Sequence, residues 1–372
     1  MNGEKINNST KKLRILVAPL DWGLGHATRC IPIIQTLLKH NTDVILAANG
    51  SLKILFELEF PQVKILDLKG YNITYTKHKN LFFLKLVSQL PKVFSGLRDE
   101  RRWLERIVVE EQIDAVISDN RPGLHHMDVP CVYITHQLQI QTGNKLTNTW
   151  LRDLHYKYIN KFQQCWIPDY AKGQTLAGKL SHPATFPAIT YKYLGLLSRF
   201  NKKPLPILYD FLLLVSGPEP QRSIFEKKLL QVFDNSVYTF ALVRGLPSGG
   251  GSEPLQTSAA KVADHLNANE LNELILQSKV IVARAGYSTV MDLATLQKKA
   301  VLIPTPGQTE QEYLAKYLAG EKIFASLQQD DITLANIEKI AAQQEISVPE
   351  YDTSMYADVI AEWLASLRQP AI

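Results

Sequence analysis

The stretch Val280–Gln311, which reads VIVARAGYSTVMDLATLQKKAVLIPTPGQTEQ, has the pattern of one strand–helix–strand unit. The short apolar runs Val280–Ala283 and Ala300–Ile303 are typical of buried parallel strands. Apolar side chains recur at helical spacing between them, at Val290, Leu293, Ala294 and Leu296. We expect Ser288 or Thr289 to cap this helix. Parallel strands joined by a helix place both following turns at one edge of the sheet, where open α/β sheets bind their ligands.

The same alternation of strands and helices extends along the chain. Further apolar runs typical of strands lie at Leu13–Pro19, Val44–Ala48, Val63–Leu66, Ala115–Ser118, Cys131–Thr135, Gln164–Pro168, Tyr191–Leu194 and Phe211–Ser216. This alternation predicts an α/β fold with doubly wound parallel sheets. Because a chain of 372 residues is too long for one ordinary core, we expect two domains.

The boundary between the two domains is predicted at SRFNKKPLP, residues 198–206, which is charged and contains prolines between two apolar runs. The first domain would then span residues 1–197, and the second would span residues 207–352. Helical periodicity near the end of the chain predicts a C-terminal helix within residues 353–372.

Composition and charge exclude several classes of function. No apolar run reaches the roughly 20 residues that span a bilayer, and no apolar signal-peptide core precedes Leu13. The cysteines Cys30, Cys131 and Cys165 are few and far apart, which predicts free thiols in a cytoplasmic protein and no zinc site. A formal net charge of +5 suits an anionic ligand or membrane surface. Since no RNA- or DNA-reading motif accompanies this charge, we expect no nucleic-acid partner.

A long helical segment is predicted at Leu81–Glu111, interrupted at Pro91 because proline cannot continue the helical hydrogen bonds. Basic side chains line its second part, at Lys92, Arg98, Arg101, Arg102 and Arg106. Two interpretations stay open for this segment. It is either a core helix with a solvated basic face, or a patch that binds an anionic membrane surface.

The glycine turn Gly23–Arg29, GLGHATR, follows the first strand and opens a helix. Glycine lets a ligand approach the backbone closely, and a helix start offers free N–H groups to phosphate or sugar. We therefore predict an acceptor or phosphate loop that includes Gly23, Gly25, Thr28 and Arg29. His26 should point into the cleft, where a near-neutral imidazole could take the proton of an attacking hydroxyl. The alternative is a histidine that only stabilises the turn.

Asp119 follows the strand Ala115–Ser118 and should lie at the same edge of the sheet as the glycine turn. Its carboxylate could act as the base, or it could orient His26. The alternative is a turn-forming aspartate, since Asn120 and Gly123 follow it. The pair His125-His126 lacks a third ligand at the usual spacing, so no metal site is predicted.

The motif RAGYST…D followed by PTPGQTEQ, together with GLGHATR near the start of the chain, resembles glycosyltransferase family 28. The resemblance touches both halves of the chain. It implies two Rossmann-like domains facing across a cleft, the glycosyltransferase-B fold, with the C-terminal helix packed back on the first domain. It also implies inverting transfer of a hexose or N-acetylhexosamine from a UDP-sugar to a hydroxyl of a glycan or lipid-linked acceptor. The absence of an Asp-x-Asp motif agrees with the metal-independent chemistry of the family.

The resemblance also assigns residues to the binding of the UDP-sugar, which would be a co-substrate with no further cofactor. These are Gly217, Arg222, Arg284, Gly286, Ser288, Thr289, Asp292, Gln308, Glu310 and Gln311. Arg284, or the amides of Ser288 and Thr289, would meet phosphate, and Asp292 would meet the ribose hydroxyls. Glu310 and Gln311 would meet the sugar hydroxyls.

Each of these assignments has a structural alternative. Thr289 and Asp292 fit a capping box, and Glu310 and Gln311 fit the first turn of a helix. The turn Ser216–Arg222 departs from the family pattern, because its two prolines remove N–H groups. Either Gly217 and Arg222 hold the diphosphate in another way, or this turn has lost that task.

Two alternative functions stay open. One is a UDP-sugar 2-epimerase of the same fold, and the other is a non-catalytic protein that binds nucleotide sugars. A lipid-linked acceptor of the cell envelope would put the protein at the inner face of the cytoplasmic membrane, as a peripheral protein.

Overall fold

The computed structural model describes residues 12–71, 90–140, 145–246, 255–343 and 345–368. The first part of the predicted helical segment, residues 81–89, lies outside these ranges.

In the first half of the described chain, seven strands form one parallel sheet. These are β1 (Arg14–Pro19), β2 (Asp43–Ala48), β3 (Lys64–Asp67), β4 (Ala115–Asp119), β5 (Cys131–Ile134), β6 (Gln164–Ile167) and β7 (Thr190–Tyr193). The helices of this half are α1 (Leu24–Lys39), α2 (Gly50–Glu59), α3 (Leu90–Glu110) and α4 (Lys145–Ile159). The strand order is β3-β2-β1-β4-β5-β6-β7. The central strands are continuous apolar runs because helices cover both faces of the sheet.

The second half repeats this architecture with a six-stranded parallel sheet, again counted over the described ranges. Its strands are β8 (Tyr209–Leu214), β9 (Phe240–Val243), β10 (Lys261–Ala263), β11 (Ser278–Arg284), β12 (Lys299–Ile303) and β13 (Ala325–Ser326). Its helices are α5 (Gln221–Phe233), α6 (Ala268–Leu276), α7 (Tyr287–Thr295), α8 (Thr309–Gly320) and α9 (Leu334–Ala341), and α10 (Met355–Arg368) follows them. The strand order is β10-β9-β8-β11-β12-β13. The predicted α/β fold with two parallel sheets is confirmed.

The strand order reverses between β1 and β4 in the first sheet, and between β8 and β11 in the second. Such switch points leave a crevice at the carboxyl ends of the strands, because the two connections leave in opposite directions. Helix α1 begins just after β1 and helix α7 begins just after β11. The two helix starts touch, since Ser288 Oγ donates a hydrogen bond to Gly25 O at 2.7 Å. The crevices of the two sheets therefore face each other.

The C-terminal helix α10 lies against the first domain. The indole of Trp363 packs edge-on against Trp166 of β6, with ring centroids 5.3 Å apart. At the end of the helix, Arg368 Nη2 donates to His40 O at 3.1 Å. The chain thus crosses back over the cleft, and the two domains are joined by packing as well as by the linker.

Helix α3 carries acids interleaved with its basic residues. Its surface charges pair along the helix as Arg101–Glu105, Arg102–Asp99 and Arg106–Glu110. Pairs three or four residues apart are typical of a solvated helix face. Binding of α3 to an anionic membrane surface stays a prediction. Within the described ranges, no helix combines the length and the apolar character needed to cross a bilayer.

Replacement of Trp363 by alanine tests the packing of α10. Trp363 is buried against Trp166, so its loss should leave a cavity and lower the free energy of unfolding by about 3 kcal/mol. Glu362→Ala is the matched control, because the Glu362 side chain is exposed and pairs only on the surface with Lys192. Urea unfolding followed by circular dichroism measures both variants. Equal, small effects of the two changes would mean that α10 does not stabilise the first domain.

Candidate active site

A cavity of about 520 Å³ lies between the two domains, at the starts of α1 and α7. From the first domain its lining includes Trp22, Gly23, Leu24, Gly25, His26, Thr28, Arg29, His136 and Gln137. From the second it includes Gly217, Gly286, Ser288, Thr289, Asp292, Gln308, Glu310 and Gln311. Most of the site residues predicted from the sequence therefore line one cavity. Asp119 lies directly beneath it, and Arg222 and Arg284 do not line it.

The backbone at the start of α1 explains the glycine turn. Gly23 has φ of +96°, a conformation that side chains disfavour, and it precedes the first turn of α1. A Cβ at Gly25 would sit 3.1 Å from Ser288 Oγ, closer than normal packing allows. Gly25 O accepts hydrogen bonds from both Ser288 Oγ and Thr28 Oγ1. These glycines allow α1 and α7 to meet.

His26, Arg29 and Asp119 form a hydrogen-bonded group at the bottom of the cavity. Asp119 is fully buried at the end of β4, and its Oδ2 lies 3.2 Å from His26 Nδ1. Arg29 Nε donates to the same oxygen at 2.7 Å, and Arg29 Nη2 donates to Asp119 Oδ1. The prediction that Asp119 could orient His26 matches this contact, and the interpretation of Asp119 as a simple turn former does not.

The charge states of this group follow from burial and from Arg29. Burial, and next the positive charge of Arg29, lower the pKa of His26 below its ordinary 6.5. Burial alone would favour neutral Asp119, but Arg29 and His26 outweigh it and hold the pKa of that carboxyl far below 3.8. At neutral pH the group therefore consists of a neutral imidazole, a carboxylate and a guanidinium. A neutral imidazole is the form that can accept a proton.

Arg284 does not reach the cavity, which corrects its assignment to phosphate. Its side chain is 1% exposed and lies over the ring of Phe225, 3.9 Å from the ring centroid. Its Nη1 donates to Pro304 O, and its Nη2 donates to Gln221 O and to Gln329 Oε1. Burial lowers the pKa of Arg284 to about 9. The guanidinium joins the end of β11 to the start of α5, to the turn after β12 and to the segment after β13, so its role is structural.

The assignment of Arg222 to the diphosphate is corrected for the same reason, because its guanidinium does not line the cavity. Its Nε donates to Glu219 Oε1 at 2.5 Å, its Nη1 is paired with Glu226, and Nη1 also donates to Arg244 O. These contacts bury the guanidinium inside the second domain. Gly217 alone of the two predicted residues in this turn faces the cavity.

The capping predicted at the start of α7 is also wrong. The helix begins at Tyr287 with Gly286 at the N-cap position, and no side chain caps it. Ser288 Oγ is used on Gly25, and Asp292 lies too far along the helix to form a capping box. Asp292 instead accepts a hydrogen bond from Ser198 Oγ at 2.6 Å. Burial raises the pKa of Asp292 to about 6, and this carboxyl lines the cavity.

The three predicted residues at the start of α8 make different contacts. Gln311 Oε1 accepts the backbone N–H of Thr305 at 2.8 Å, so that oxygen holds the proline turn. Gln308 stands at the N-cap position without a side-chain cap. Glu310 reaches across the cleft, where its Oε1 lies 2.7 Å from His136 Nε2.

Sequence reasoning gave no role to His136 or to Arg199, although both line the cavity. His136 follows the β5 strand at the same sheet edge as Asp119, and that position was the available signal. Arg199 lies in the predicted linker, next to Ser198, where sequence position gives no indication of a site. Among the described residues, no group of three or more His, Cys, Asp or Glu side chains could hold a metal ion.

Comparison with known proteins identifies the class. Residues 252–352 match the family model described as the glycosyltransferase family 28 C-terminal domain. The chain is therefore a glycosyltransferase, and this segment belongs to family 28. A comparison with curated proteins finds no match.

Solved structures of glycosyltransferases share the fold of the whole chain. SnogD from Streptomyces nogalater is 13% identical with a TM-score of 0.60, covering 96% of this chain and 100% of that chain. LpCGTa in complex with UDP is 12% identical with a TM-score of 0.59, covering 96% and 99%. MurG from Acinetobacter baumannii is 15% identical with a TM-score of 0.50, covering 97% and 95%. The predicted glycosyltransferase-B fold is confirmed.

Replacement of Asp119 by asparagine tests the buried group. The change leaves the Arg29 guanidinium buried without a countercharge, so we expect a loss of about 3 kcal/mol in the free energy of unfolding at neutral pH. Because folding lowers the pKa of Asp119, its contribution is complete above the ordinary value of 3.8 and declines as the pH falls below it. Urea unfolding at several pH values measures this difference.

Asp67→Asn is the control for that experiment. Asp67 pairs with Lys53 on the surface, so its replacement should change stability little. If Asp119→Asn were as mild as Asp67→Asn, the Arg29–Asp119 pair would not be a stabilising buried contact.

Proposed function

We propose that this glycosyltransferase moves a hexose or N-acetylhexosamine from a UDP-sugar to a hydroxyl of a glycan or lipid-linked acceptor, with inversion and without a metal ion. The observation that carries the proposal is the pair of His26 and Asp119 at one side of the cavity and the uncapped start of α7 at the other. A proton acceptor and an anion-binding helix start are the two groups that this reaction needs.

The start of α7 suits a diphosphate. Its first N–H groups have no side-chain cap and its first turn contains no acid, so the positive end of the helix is free to meet an anion. Arg199 lines the same cavity and would add positive charge there, although it is also paired with Glu59. Helix amides and one guanidinium would then balance the charge of the leaving UDP without a divalent ion.

Two carboxyl groups suit the hydroxyl-bearing parts of the UDP-sugar, which are the ribose and the transferred sugar. Asp292, five residues beyond the first residue of α7, can accept the ribose hydroxyls when it is ionised. Glu310 can accept a hydroxyl of the transferred sugar. The complex of LpCGTa with UDP supports a uridine nucleotide as the donor. The identity of the sugar depends on which hydroxyls meet Glu310 and its neighbours.

The reaction follows from the tautomer of His26. His26 Nδ1 lies near Asp119 Oδ2 and also 2.9 Å from Arg29 Nη2. Nδ1 cannot donate to Asp119 and accept from Arg29 at the same time. The proposed reaction requires the first arrangement, in which Arg29 donates only to Asp119, Nδ1 carries the proton and the lone pair lies on Nε2. Nε2 would take the acceptor's hydroxyl proton while the oxygen attacks the anomeric carbon. The bond to UDP breaks on the opposite face, so the anomeric configuration inverts and the imidazolium is stabilised by Asp119.

The acceptor would enter on the first-domain side of the cavity. Trp22 lies there beside the glycine turn with 39% of its surface exposed, and it offers an apolar face to an incoming substrate. A lipid-linked acceptor would place the enzyme at the inner face of the cytoplasmic membrane. A free glycan acceptor would need no such location.

Thermal denaturation with nucleotides tests the sugar donor. UDP and the cognate UDP-sugar should raise the melting temperature, since a ligand at 100 times its Kd adds about 2.7 kcal/mol of stability. ADP and GDP are the control nucleotides, and Asp292→Asn should weaken UDP binding about tenfold by loss of the ribose contact. Equal shifts with all three nucleotides would refute a uridine site. Formation of a second UDP-sugar from the first alone would favour an epimerase.

Replacement of His26 by glutamine tests the base. Turnover should fall at least about 100-fold, while UDP affinity stays unchanged, because His26 acts on the acceptor side. Hydrolysis of the UDP-sugar, with water as the acceptor, gives a measurable rate before the natural acceptor is identified. In the parent enzyme, kcat/KM should decline only below pH 6.5, because protonation removes the base and its pKa is lowered. Undiminished hydrolysis by His26→Gln would exclude His26 as the base.

A further inference from the structure

His136 occupies a fixed position between the two domains. It follows β5 of the first domain, and its side chain is 3% exposed. The imidazole stacks on Tyr287, the first residue of α7, with ring centroids 4.1 Å apart and planes 13° from parallel. Tyr287 is itself held, because its hydroxyl donates to Pro168 O at 2.6 Å. The stacking therefore fixes the direction in which both ring nitrogens of His136 point.

Each ring nitrogen of His136 meets a charged group. Nε2 lies 2.7 Å from Glu310 Oε1, and Nδ1 lies 3.2 Å from Arg29 Nη1. A guanidinium can only donate, and an ionised carboxylate can only accept. Burial opposes ionisation of Glu310, but His136 outweighs it and the pKa of Glu310 is lowered. The two contacts therefore require one tautomer of neutral His136, with the proton on Nε2 and the lone pair on Nδ1.

We propose that His136 is a positioning residue, which holds Glu310 Oε1 and thereby directs the other carboxylate oxygen at a hydroxyl of the sugar being transferred. The inference rests on the proposed function, since it assigns a partner to the sugar-binding carboxylate. Glu310 Oε2 has no hydrogen-bond partner among the residues that the structure describes, and Glu310 lines the cavity. A carboxylate on a mobile side chain would lose rotamer freedom when it binds the sugar, and this loss would weaken binding. Because the His136 contact already fixes the Glu310 side chain, binding of the sugar carries less of this entropy cost.

The same histidine joins sugar recognition to the base. Through Nδ1 it meets Arg29, Arg29 binds Asp119, and Asp119 binds His26. One continuous network thus runs from the carboxylate that reads the sugar to the imidazole that takes the proton. In this arrangement UDP without a sugar would not reach Glu310, so replacement of His136 should not change the affinity for UDP.

The experiment compares His136→Asn with His136→Gln. The asparagine amide can replace Nδ1 at Arg29 but is too short to reach Glu310, whereas the glutamine amide can replace Nε2 and donate to Glu310. Binding of UDP, UDP-glucose and UDP-N-acetylglucosamine is measured by calorimetry. We expect His136→Asn to weaken whichever UDP-sugar the parent binds by about tenfold and to leave UDP within about twofold. His136→Gln should recover most of that loss. In turnover, the asparagine variant should raise KM for the UDP-sugar more than it lowers kcat.

A second comparison uses Glu310→Ala. If His136 acts through Glu310, adding His136→Asn to Glu310→Ala should cause little further loss of UDP-sugar affinity. A full additional loss in the double variant would overturn the inference. So would an equal loss of UDP and UDP-sugar affinity in His136→Asn, because a purely structural contact between the domains affects both ligands alike.

The outcomes also separate this inference from the proposed function. A parent protein that binds neither UDP nor either UDP-sugar refutes the uridine site, and with it the role of Glu310. A parent protein that binds them normally, with His136→Asn showing the parent's ratio of UDP-sugar to UDP affinity, refutes only the positioning role of His136.

Discussion

The candidate active site depends on the buried ion pair between Arg29 and Asp119. A carboxylate inside a protein is costly unless it is paired and fully hydrogen-bonded, and Arg29 provides both the charge and two donors. The pair joins α1 to the end of β4 across the switch point of the first sheet. His26 lies one helical turn before Arg29, so the same contact that stabilises the interior also sets the imidazole at the cavity.

In the second domain, by contrast, the buried arginines do not position a group at the cavity. Its two arginines near the turns, Arg222 and Arg284, are directed inward and bind backbone carbonyls or acids of the same domain. Each buried guanidinium stabilises the turns from below and contributes no donor to the cavity. The free N–H groups at the start of α7 remain, since no side chain caps them. In the proposed function, the second domain would therefore recognise its anion through the backbone more than through side chains.

The sequence predicts the edge of a sheet at which a residue lies better than the face toward which its side chain points. The apolar periods on both sides of Gly286, and the glycines at 23 and 25, correctly bring α7 and α1 to one cleft. The same reasoning fails for Arg284, because the strand ends at the right edge while its guanidinium turns under the sheet. It also misses the contact between His136 and Glu310, because these two residues lie 174 positions apart in the sequence and in separate domains. Local patterns carry no information about such a pair.

The geometry of the two helix starts has an electrostatic consequence. Neither α1 nor α7 has a side-chain cap or an acid in its first turn, and the hydrogen bond from Ser288 to Gly25 brings the two starts together. Two positive helix ends directed at one cavity repel each other, and the repulsion is strongest where water is excluded. Asp119 and Glu310 offset part of it, although Arg29 already neutralises the charge of Asp119. An anion between the helix starts relieves the remainder. Under the proposed function, closure of the cleft and binding of a negatively charged substrate would therefore be coupled by the same field, which would favour a diphosphate over a neutral ligand.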